Sequence, residues 1–202
     1  NQSTNGYLYK NVLKGCAIDL RGTTKTKLDS NHYYAGSLIA SNETTVESEN
    51  DSFEGETPAA IGVHDSAQMT IKNTKMTNVS GIGIVTYDSS KITSTSLTIN
   101  GTGQQGIICH SGGELELQDS TIQQTSDDAL LVQDGNINAK NLTIQRSKTN
   151  GISISDSSNC VFSNCTISDN ARCGFIISHT TLTIENINFT GNGFSAIHSI
   201  GS

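Results

Sequence analysis

The sequence predicts an all-β solenoid, and three observations lead to this prediction: a recurring phrase, stacked apolar columns and the absence of helical periodicity. The phrase is four residues long and returns every 21 to 25 residues. Its clear copies are Gly81-Ile82-Gly83-Ile84, Gly106-Ile107-Ile108-Cys109, Ala129-Leu130-Leu131-Val132, Gly151-Ile152-Ser153-Ile154 and Gly174-Phe175-Ile176-Ile177. Repeats of this length bury their apolar face only by stacking on their neighbours.

Each repeat is expected to contain three short strands with alternating inward and outward side chains. The recurring phrase is the first strand, and its second and fourth residues point inward. The second and third strands each contribute an apolar column that advances 22 or 23 residues at a time. The second-strand column is Ile92, Leu115, Ile137, Cys160 and Leu182. The third-strand column is Phe53, Met76, Ile99, Ile122, Ile144, Ile167 and Phe189.

A polar column separates the second strand from the third. Its members are Asn50, Asn73, Ser96, Asp119, Asn141, Asn164 and Asn186. Because Asn tolerates left-handed backbone and hydrogen-bonds its own turn, we expect an internal ladder of stacked side chains. Parallel crossovers are right-handed. The fold class is therefore a right-handed, single-stranded parallel β-helix of about eight turns, roughly 40 Å long.

Residues 37–202 are predicted to be the β-helix repeats, and residues 1–36 the N-terminal edge or first turns. The early segment fits the register poorly, with a weak copy at Ala17-Ile18-Asp19-Leu20. The last copy, Ala196-Ile197-His198-Ser199, starts a turn that Ser202 does not finish. We expect further turns, a cap or a partner beyond this open C-terminal edge. The chain does not begin with Met and is interpreted as a mature form or an excised fragment.

Composition and charge exclude several classes of function. The net charge of the 202 residues is −7, whereas nucleic-acid binding needs clustered Lys and Arg. No apolar run approaches the roughly 18 residues that cross a membrane. We interpret Cys109, Cys160 and Cys165 as small buried apolar residues, with a Cys160–Cys165 pair as the alternative. Eight Asn-x-Ser/Thr sequences are weak evidence for an extracellular or cell-surface location.

Ser126-Asp127-Asp128-Ala129-Leu130 places a carboxylate pair directly before a first strand. With the stacked repeats, this motif resembles the pectin-lyase-like superfamily and, within it, the polygalacturonases. The resemblance implies an inverting glycoside hydrolase, in which one carboxylic acid protonates the leaving oxygen and carboxylates activate a water. Asp127 and Asp128 are therefore the candidate catalytic residues.

The resemblance also implies a third Asp one turn earlier and a His one turn later. These positions hold Gln105, which cannot act as a base, and Asn150. The family's downstream Arg-Ile-Lys motif has no counterpart in the sequence. Because the catalytic set is incomplete, the sequence favours a non-enzymatic role.

A lyase would need Ca²⁺ held by several carboxylates. Asp134 and Asp156 stand in one column beyond the first strand, with His179 above them. Two carboxylates in register attract a hard cation weakly, so we interpret them as solvated turn residues. No metal site is assigned, and Ca²⁺ is the one candidate cofactor. His64 and His110 lie two turns apart and are interpreted as surface residues.

Two outward columns are candidate binding surfaces. On the first strand an apolar stripe is formed by Ile108, Leu131 and Ile176 and interrupted by Ser153. Such a stripe favours a protein partner, self-association or a covering segment. On the third strand, a threonine column suits an exposed strand or a sheet that hydrogen-bonds sugars. Its members are Thr98, Thr121, Thr143 and Thr166.

These features favour a non-enzymatic β-helix module that serves as a surface, adhesion or assembly scaffold and contacts glycans or a partner protein. The expected partners are another protein or a second copy, at the apolar stripe or the C-terminal edge, and a polysaccharide. The alternative is a polysaccharide-degrading enzyme, a polygalacturonase-like hydrolase or a Ca²⁺-dependent lyase, centred on Asp127 and Asp128.

Overall fold

A computed structural model describes residues 5–156 and 159–201, which form a parallel β-helix of 27 strands. Each turn contributes one strand to each of three sheets, and every sheet has nine parallel strands separated by eight turn-to-turn steps. The described residues contain no α-helix, and hence no helix that could span a membrane. The predicted all-β coil of short parallel strands, three per turn, is confirmed.

The first nine strands are β1 (Asn5–Tyr9), β2 (Val12–Lys14), β3 (Ala17–Arg21), β4 (Lys25–Asp29), β5 (His32–Tyr34), β6 (Ser37–Ser41), β7 (Thr45–Glu49), β8 (Ser52–Gly55) and β9 (Ala59–Val63). The next nine are β10 (Gln68–Lys72), β11 (Lys75–Val79), β12 (Ile82–Thr86), β13 (Lys91–Thr95), β14 (Thr98–Thr102), β15 (Ile107–His110), β16 (Glu114–Gln118), β17 (Thr121–Thr125) and β18 (Leu130–Gln133). The last nine are β19 (Asn136–Lys140), β20 (Thr143–Gln145), β21 (Ile152–Ser155), β22 (Asn159–Ser163), β23 (Thr166–Ser168), β24 (Phe175–Ser178), β25 (Leu182–Glu185), β26 (Asn188–Thr190) and β27 (Ile197–Ile200). Every third strand belongs to the same sheet, so β1 starts sheet 1, β2 starts sheet 2 and β3 starts sheet 3.

Strand pairing confirms the apolar columns residue for residue. In sheet 1, Ile92 pairs with Leu115, and in sheet 2, Ile99 pairs with Ile122. These four side chains are essentially inaccessible to solvent. The inward side chains of all three sheets therefore form one continuous core along the axis of the coil.

The register of one phrase differs from the prediction. Gly83-Ile84, rather than Gly81-Ile82, is equivalent to Gly106-Ile107, because Ile84 pairs with Ile107. The sequence contains two consecutive Gly-Ile dipeptides, and burial shows that the second one is equivalent to the dipeptide of the next turn. The isoleucine of the second dipeptide is fully buried, whereas that of the first is half-buried.

The N-terminal turns have a shorter period than the later ones. Lys25 pairs with Asn5 in the turn before it and with Thr45 in the turn after it, so each of these steps takes 20 residues. The step from Ile92 to Leu115 takes 23. This shorter period explains why residues 1–36 fit the sequence register poorly.

The polar column is an exposed ladder, so the prediction of an internal one was wrong. All seven members have left-handed backbone, with φ between 50° and 58°. Asn141 Nδ2 donates to Asp119 Oδ1 at 2.7 Å, and Asn186 Nδ2 donates to Asn164 Oδ1 at 2.7 Å. The left-handed residue turns the chain from sheet 1 into sheet 2 and leaves its own side chain outside the core.

Within residues 5–156 and 159–201, no disulfide joins Cys160 to Cys165. Cys109, Cys160 and Cys165 are buried in the core, which confirms their reading as small apolar residues. Burial raises the pKa of the Cys109 thiol to about 12. The thiol therefore stays protonated at neutral pH and packs as an apolar group.

Candidate functional site

The outer face of sheet 3 contains the candidate site. A row of outward side chains runs along the middle of its strands, in strand register. In chain order this middle row is Asp19, Ile39, Gly62, Val85, Ile108, Leu131, Ser153, Ile176 and His198. A second row, just before the strands, includes Gln105, Asp128 and Asn150. A third row, at the strand ends, includes His64, Tyr87 and His110.

Asp128 is held by donors from the following turn. Its Oδ1 accepts the backbone N–H of Asn150 at 2.9 Å and the side-chain Nδ2 of the same residue at 3.0 Å. Thr149 Oγ1 donates to the same oxygen, and Ser153 Oγ donates to Oδ2. Both oxygens of this half-buried carboxylate are therefore engaged.

Asp127 belongs to the same network. Gln105 Nε2 donates to its Oδ2 at 2.7 Å from the preceding turn. The backbone N–H of Asp128 donates to its Oδ1 at 2.9 Å, and the Thr149 hydroxyl, whose single proton is shared with Asp128, lies 3.1 Å from the same oxygen. The structure thus brings together Gln105, the aspartate pair and Asn150, in the column that the sequence register predicts.

This network makes the two carboxylates acceptors for the neighbouring turns. Each oxygen of Asp127 and of Asp128 accepts at least one hydrogen bond, and a carboxylate oxygen can accept two. Gln105 and Asn150 supply amide groups at the positions where an inverting hydrolase needs a carboxylate and an imidazole. These hydrogen bonds join three successive turns just before the strands of sheet 3.

A groove of about 360 Å³ lies beside Asn150, at the C-terminal end of sheet 3. Arg172, Ile176, Phe194 and His198 line it, and its floor is mostly apolar. Phe194 is 73% exposed, and its ring meets the His198 ring edge to face at 5.8 Å. Sequence reasoning missed this groove because Phe194 and Arg172 lie in loops, outside every apolar column.

The predicted apolar stripe forms the middle row of sheet 3. Ile108, Leu131 and Ile176 are half-buried on this row, and Val85 extends it toward the N-terminus. Ser153 interrupts the row and is 8% exposed, because its hydroxyl turns to Asp128. The stripe is thus continuous for three turns from Val85 and resumes at Ile176.

A stack of three rings borders the stripe. Tyr87 lies between His64 and His110, with centroid distances of 5.0 Å to each and planes within 8°. Partial burial raises the pKa of the Tyr87 hydroxyl, and the charges of Asp88 and Asp65 add to this effect. The sequence placed the two histidines in equivalent positions but did not reveal the tyrosine between them.

A second groove, of about 340 Å³, lies between this stack and the stripe. Gly62 opens it, since a Cβ built on Gly62 would meet no atom within 4 Å. Ile39 and Val85 flank Gly62 in the middle row, and His64 and Tyr87 form one wall. The missing side chain therefore creates a notch in the apolar stripe.

The threonine column lies on sheet 2, in strand register and half-buried. Its members are Thr98, Thr121, Thr143 and Thr166. Beside it runs an amide ladder, in which Gln123 Nε2 donates to Asn100 Oδ1 at 3.1 Å and Gln145 Nε2 donates to Gln123 Oε1 at 2.6 Å. These amides bond to one another beside the threonines and give sheet 2 a regular polar surface.

The carboxylates considered for Ca²⁺ lie at exposed corners. Asp134, Asp156 and His179 all have left-handed backbone, and His179 Nδ1 is 3.9 Å from Asp156 Oδ1. Within residues 5–156 and 159–201, no group of three or more acidic, histidine or cysteine side chains is arranged to hold a metal ion. The left-handed backbone of Asp134, Asp156 and His179 lies in the turns that lead from sheet 3 to sheet 1.

Solved structures share the fold at low sequence identity. A mutant of the periplasmic alginate epimerase AlgG is 14% identical, with a TM-score of 0.59, 87% of this chain covered and 51% of that chain. The enzymatically active domain of tailspike protein 2 from bacteriophage CBA120 is 12% identical, with a TM-score of 0.52, 98% of this chain covered and 39% of that chain. The chain thus spans about half of the first structure and less than half of the second.

No curated protein matches the sequence significantly. A family described as the right-handed beta helix region matches residues 2–132 and 59–202, which together include nearly the whole sequence. This match agrees with the parallel coil, the in-register columns and the predicted right-handedness. The chain therefore belongs to the right-handed β-helix family.

Proposed function

We propose that the chain is a non-enzymatic β-helix scaffold that binds glycan chains through the outer face of sheet 3. The observation that carries this proposal is an open groove with an exposed aromatic ring and donor side chains, next to two carboxylates that accept hydrogen bonds from neighbouring turns. Asp127 and Asp128 are engaged by neighbouring turns, whereas Arg172, Phe194 and His198 face an open groove. Such a surface supports the binding of a ligand.

The C-terminal groove offers the groups that sugar binding uses. An exposed Phe194 ring gives an apolar face, and Arg172 and His198 give hydrogen-bond donors beside it. The apolar stripe then continues along the rod toward the notch at Gly62. A linear glycan lying along this face would meet both grooves in turn.

In this proposal the scaffold acts at a cell surface or outside the cell, as an adhesion or assembly element. Residues 37–202 supply the binding face, and residues 1–36, with their shorter turns, form its edge. The half-buried stripe of Ile108, Leu131 and Ile176 is the region where a partner protein or a second copy would compete with the glycan. The threonine column of sheet 2 is a second, polar contact surface.

The test is binding against turnover on one panel of neutral and acidic polysaccharides. Affinity gel electrophoresis should show retardation by at least one polymer, and Phe194→Ala and Leu131→Asp should each reduce it. Thr183→Ala, an exposed change on sheet 1, is the matched control. A chain that binds no polymer in the panel, or binds equally well with both groove and stripe variants, would contradict the proposal.

The alternative function is a polysaccharide-degrading enzyme centred on Asp127 and Asp128. One observation favours it: the aspartate network adjoins the groove that Arg172 and His198 line, through Asn150. A hydrolase or lyase would release reducing ends or unsaturated products, with or without added Ca²⁺, and Asp128→Asn would abolish that release. Absence of turnover on polymers that the chain binds would exclude this alternative.

A further inference from the structure

A separate surface lies at the N-terminal end of the coil, away from sheet 3. Eight large apolar or aromatic side chains are exposed in the described chain, and half of them belong to the first two turns. These four are Tyr7, Tyr9, Val12 and Tyr34. They lie on β1, β2 and β5, around the corner between sheet 1 and sheet 2.

Basic residues concentrate at the same end. Residues 1–30 contain five basic and two acidic side chains, a net charge of +3, in a chain of net charge −7. The remaining residues therefore carry −10. Arg21 is engaged by Asp19 at 2.6 Å, which leaves four exposed lysines. These lysines are Lys10, Lys14, Lys25 and Lys27. Together with Tyr7, Tyr9, Val12 and Tyr34 they form a surface that we call the tyrosine–lysine patch.

The register interleaves the aromatic and basic side chains. Tyr7 pairs with Lys27 across sheet 1, and Tyr34 pairs with Lys14 across sheet 2. The rings of Tyr7 and Tyr9 are parallel within 10°, with centroids 6.0 Å apart. Two exposed rings and an exposed valine on one corner give the patch an apolar surface that is rimmed by ammonium groups.

Lys10 shows how the two kinds of group coexist. Its Nζ lies 4.7 Å from the centre of the Tyr9 ring. A lysine in this position covers apolar surface with its stem while the ammonium stays in water. Within the described chain, no ion pair engages Lys25 or Lys27.

Acidic side chains limit how far the patch extends. Asp29 pairs with Tyr9, and Lys27 pairs with Glu47 on the third turn. Glu49 and Glu54 belong to the same turn. An anionic surface is therefore attracted by the first two turns and repelled by the turns that follow.

We propose that the tyrosine–lysine patch docks the N-terminal end of the rod onto an anionic lipid surface. Tyrosine rings favour the headgroup region, where the ring is apolar and the hydroxyl is hydrated. Lysines beside them are attracted to anionic headgroups, and exposed apolar side chains such as Val12 enter the same boundary. An acidic glycan would satisfy the lysines but would leave Val12 without a role, so the lipid surface is the better fit.

The experiment measures binding of the full chain to vesicles. One set contains phosphatidylcholine alone, and the other contains equal parts of phosphatidylcholine and phosphatidylserine. We expect cosedimentation with the anionic vesicles only, weakening as salt is added. Because the chain has no Trp, tyrosine emission gives an independent readout, and it should change with anionic vesicles.

Variants separate the patch from general charge. Tyr7→Ser with Tyr9→Ser and, separately, Lys25→Glu with Lys27→Glu should each weaken partitioning roughly tenfold. Lys72→Glu with Lys140→Glu makes the same charge change at exposed positions of sheet 1 and should leave partitioning close to the parent value. All these side chains are exposed, so unchanged melting temperatures should show that the fold is intact.

Three results would overturn the inference. The first is absence of binding to anionic vesicles. The second is equal weakening by the patch lysine variant and the control lysine variant. The third is binding to dextran sulfate, or to the acidic face of a second copy, that depends on the patch while the chain does not bind vesicles. Binding to a second copy would appear as concentration-dependent sedimentation. The lipid test does not involve the sheet 3 grooves, so its failure leaves the proposed glycan binding untouched.

Discussion

Asn150 donates two hydrogen bonds to one oxygen of Asp128, from its backbone N–H at 2.9 Å and from its side-chain amide at 3.0 Å. The side-chain oxygen of Asn150 then accepts the backbone N–H of Cys173 at 3.2 Å. A single asparagine therefore links three successive turns on the edge of sheet 3. Asn150 also lines the groove beside Phe194, so this link between turns forms part of the groove wall.

Replacing Asp128 by Asn should destabilise the coil. The new amide would present two N–H groups to Asn150, Thr149 and Ser153, which all donate to the carboxylate in the parent chain. We expect a loss of about 2 kcal/mol in the free energy of unfolding, measured by urea titration. Asp134→Asn, at an exposed corner, is the matched control and should change stability by less than about 0.5 kcal/mol. Equal stability of the two variants would argue against a bonded Asp128.

Replacing Tyr33 by Phe should stabilise the protein. The Tyr33 ring stacks on Phe53 at 4.3 Å, but its buried hydroxyl has no hydrogen-bond partner in the described structure. Removing that hydroxyl relieves the desolvation of an unpaired polar group, worth about 1 kcal/mol. The melting temperature should therefore be higher for Tyr33→Phe than for the parent. It should be unchanged for Tyr34→Phe, because Tyr34 is 50% exposed. A lower melting temperature for Tyr33→Phe would contradict the claim that the Tyr33 hydroxyl is unpaired.

Replacing Gly106 by Ala should destabilise the protein, whereas replacing Gly62 by Ala should not. A Cβ on Gly106 would lie 2.5 Å from the carbonyl oxygen of Ala129 and 2.6 Å from the Ile122 Cγ2. A Cβ on Gly62 would meet nothing within 4 Å. Overpacking of this kind costs about 1–3 kcal/mol. The free energies of unfolding of the two variants, measured by chemical denaturation, should therefore differ by at least about 1 kcal/mol. Indistinguishable variants would mean that the turns can separate locally without cost.

Asp51 should make stability fall as the pH rises. Burial raises the pKa of its carboxyl, and hydrogen bonds from Ser48 and Asn31 only partly oppose this shift. Because the folded state then holds the proton more tightly than the unfolded state, the free energy of unfolding decreases as the pH rises from the ordinary value of 3.8 to the raised one. Asp51→Asn removes this dependence. The free energy of unfolding of the variant, relative to that of the parent, should therefore increase across that pH interval.

Asp29 provides the control of opposite sign for the Asp51 experiment. The hydrogen bond from Asn50 holds the pKa of the Asp29 carboxyl below its usual value. Its contribution to stability is therefore present above the ordinary carboxyl pKa and is lost as the pH falls through the depressed value. Urea titrations of Asp29→Asn and Asp51→Asn at several acidic pH values should diverge in opposite directions from the parent. Parallel curves would remove the basis for both assignments.

The sequence predicted the coil well because its columns repeat once per turn. Ile99 and Ile122 are recognisable as equivalent from spacing alone, since position and environment recur together. The tandem Gly81-Ile82-Gly83-Ile84 could not be aligned in this way, because either dipeptide satisfies the pattern until burial is known. The direction of the asparagine side chains also depends on left-handed corner geometry, which spacing does not report.

The candidate site was predictable only where its residues recur once per turn. Gln105, Asp128 and Asn150 share a column, so their register followed from the repeat. Phe194 and Arg172 lie in loops whose paths are set by turns above and below, and no periodic signal marks them. Two further donors to Asp128 are the hydroxyls of Thr149 and Ser153, residues that do not stand out in a chain rich in Ser and Thr.

The one-turn step that aligns each column has a consequence for the distance between the two proposed surfaces. The tyrosine–lysine patch lies at one end of the rod and the groove of Phe194 at the other, separated by strand spacings of about 4.8 Å each. Adding or deleting one complete repeat, such as residues 107–129, would keep every remaining column aligned. The distance between the two surfaces therefore changes in whole steps of one turn when complete repeats are added or removed, and the residues of each surface stay the same.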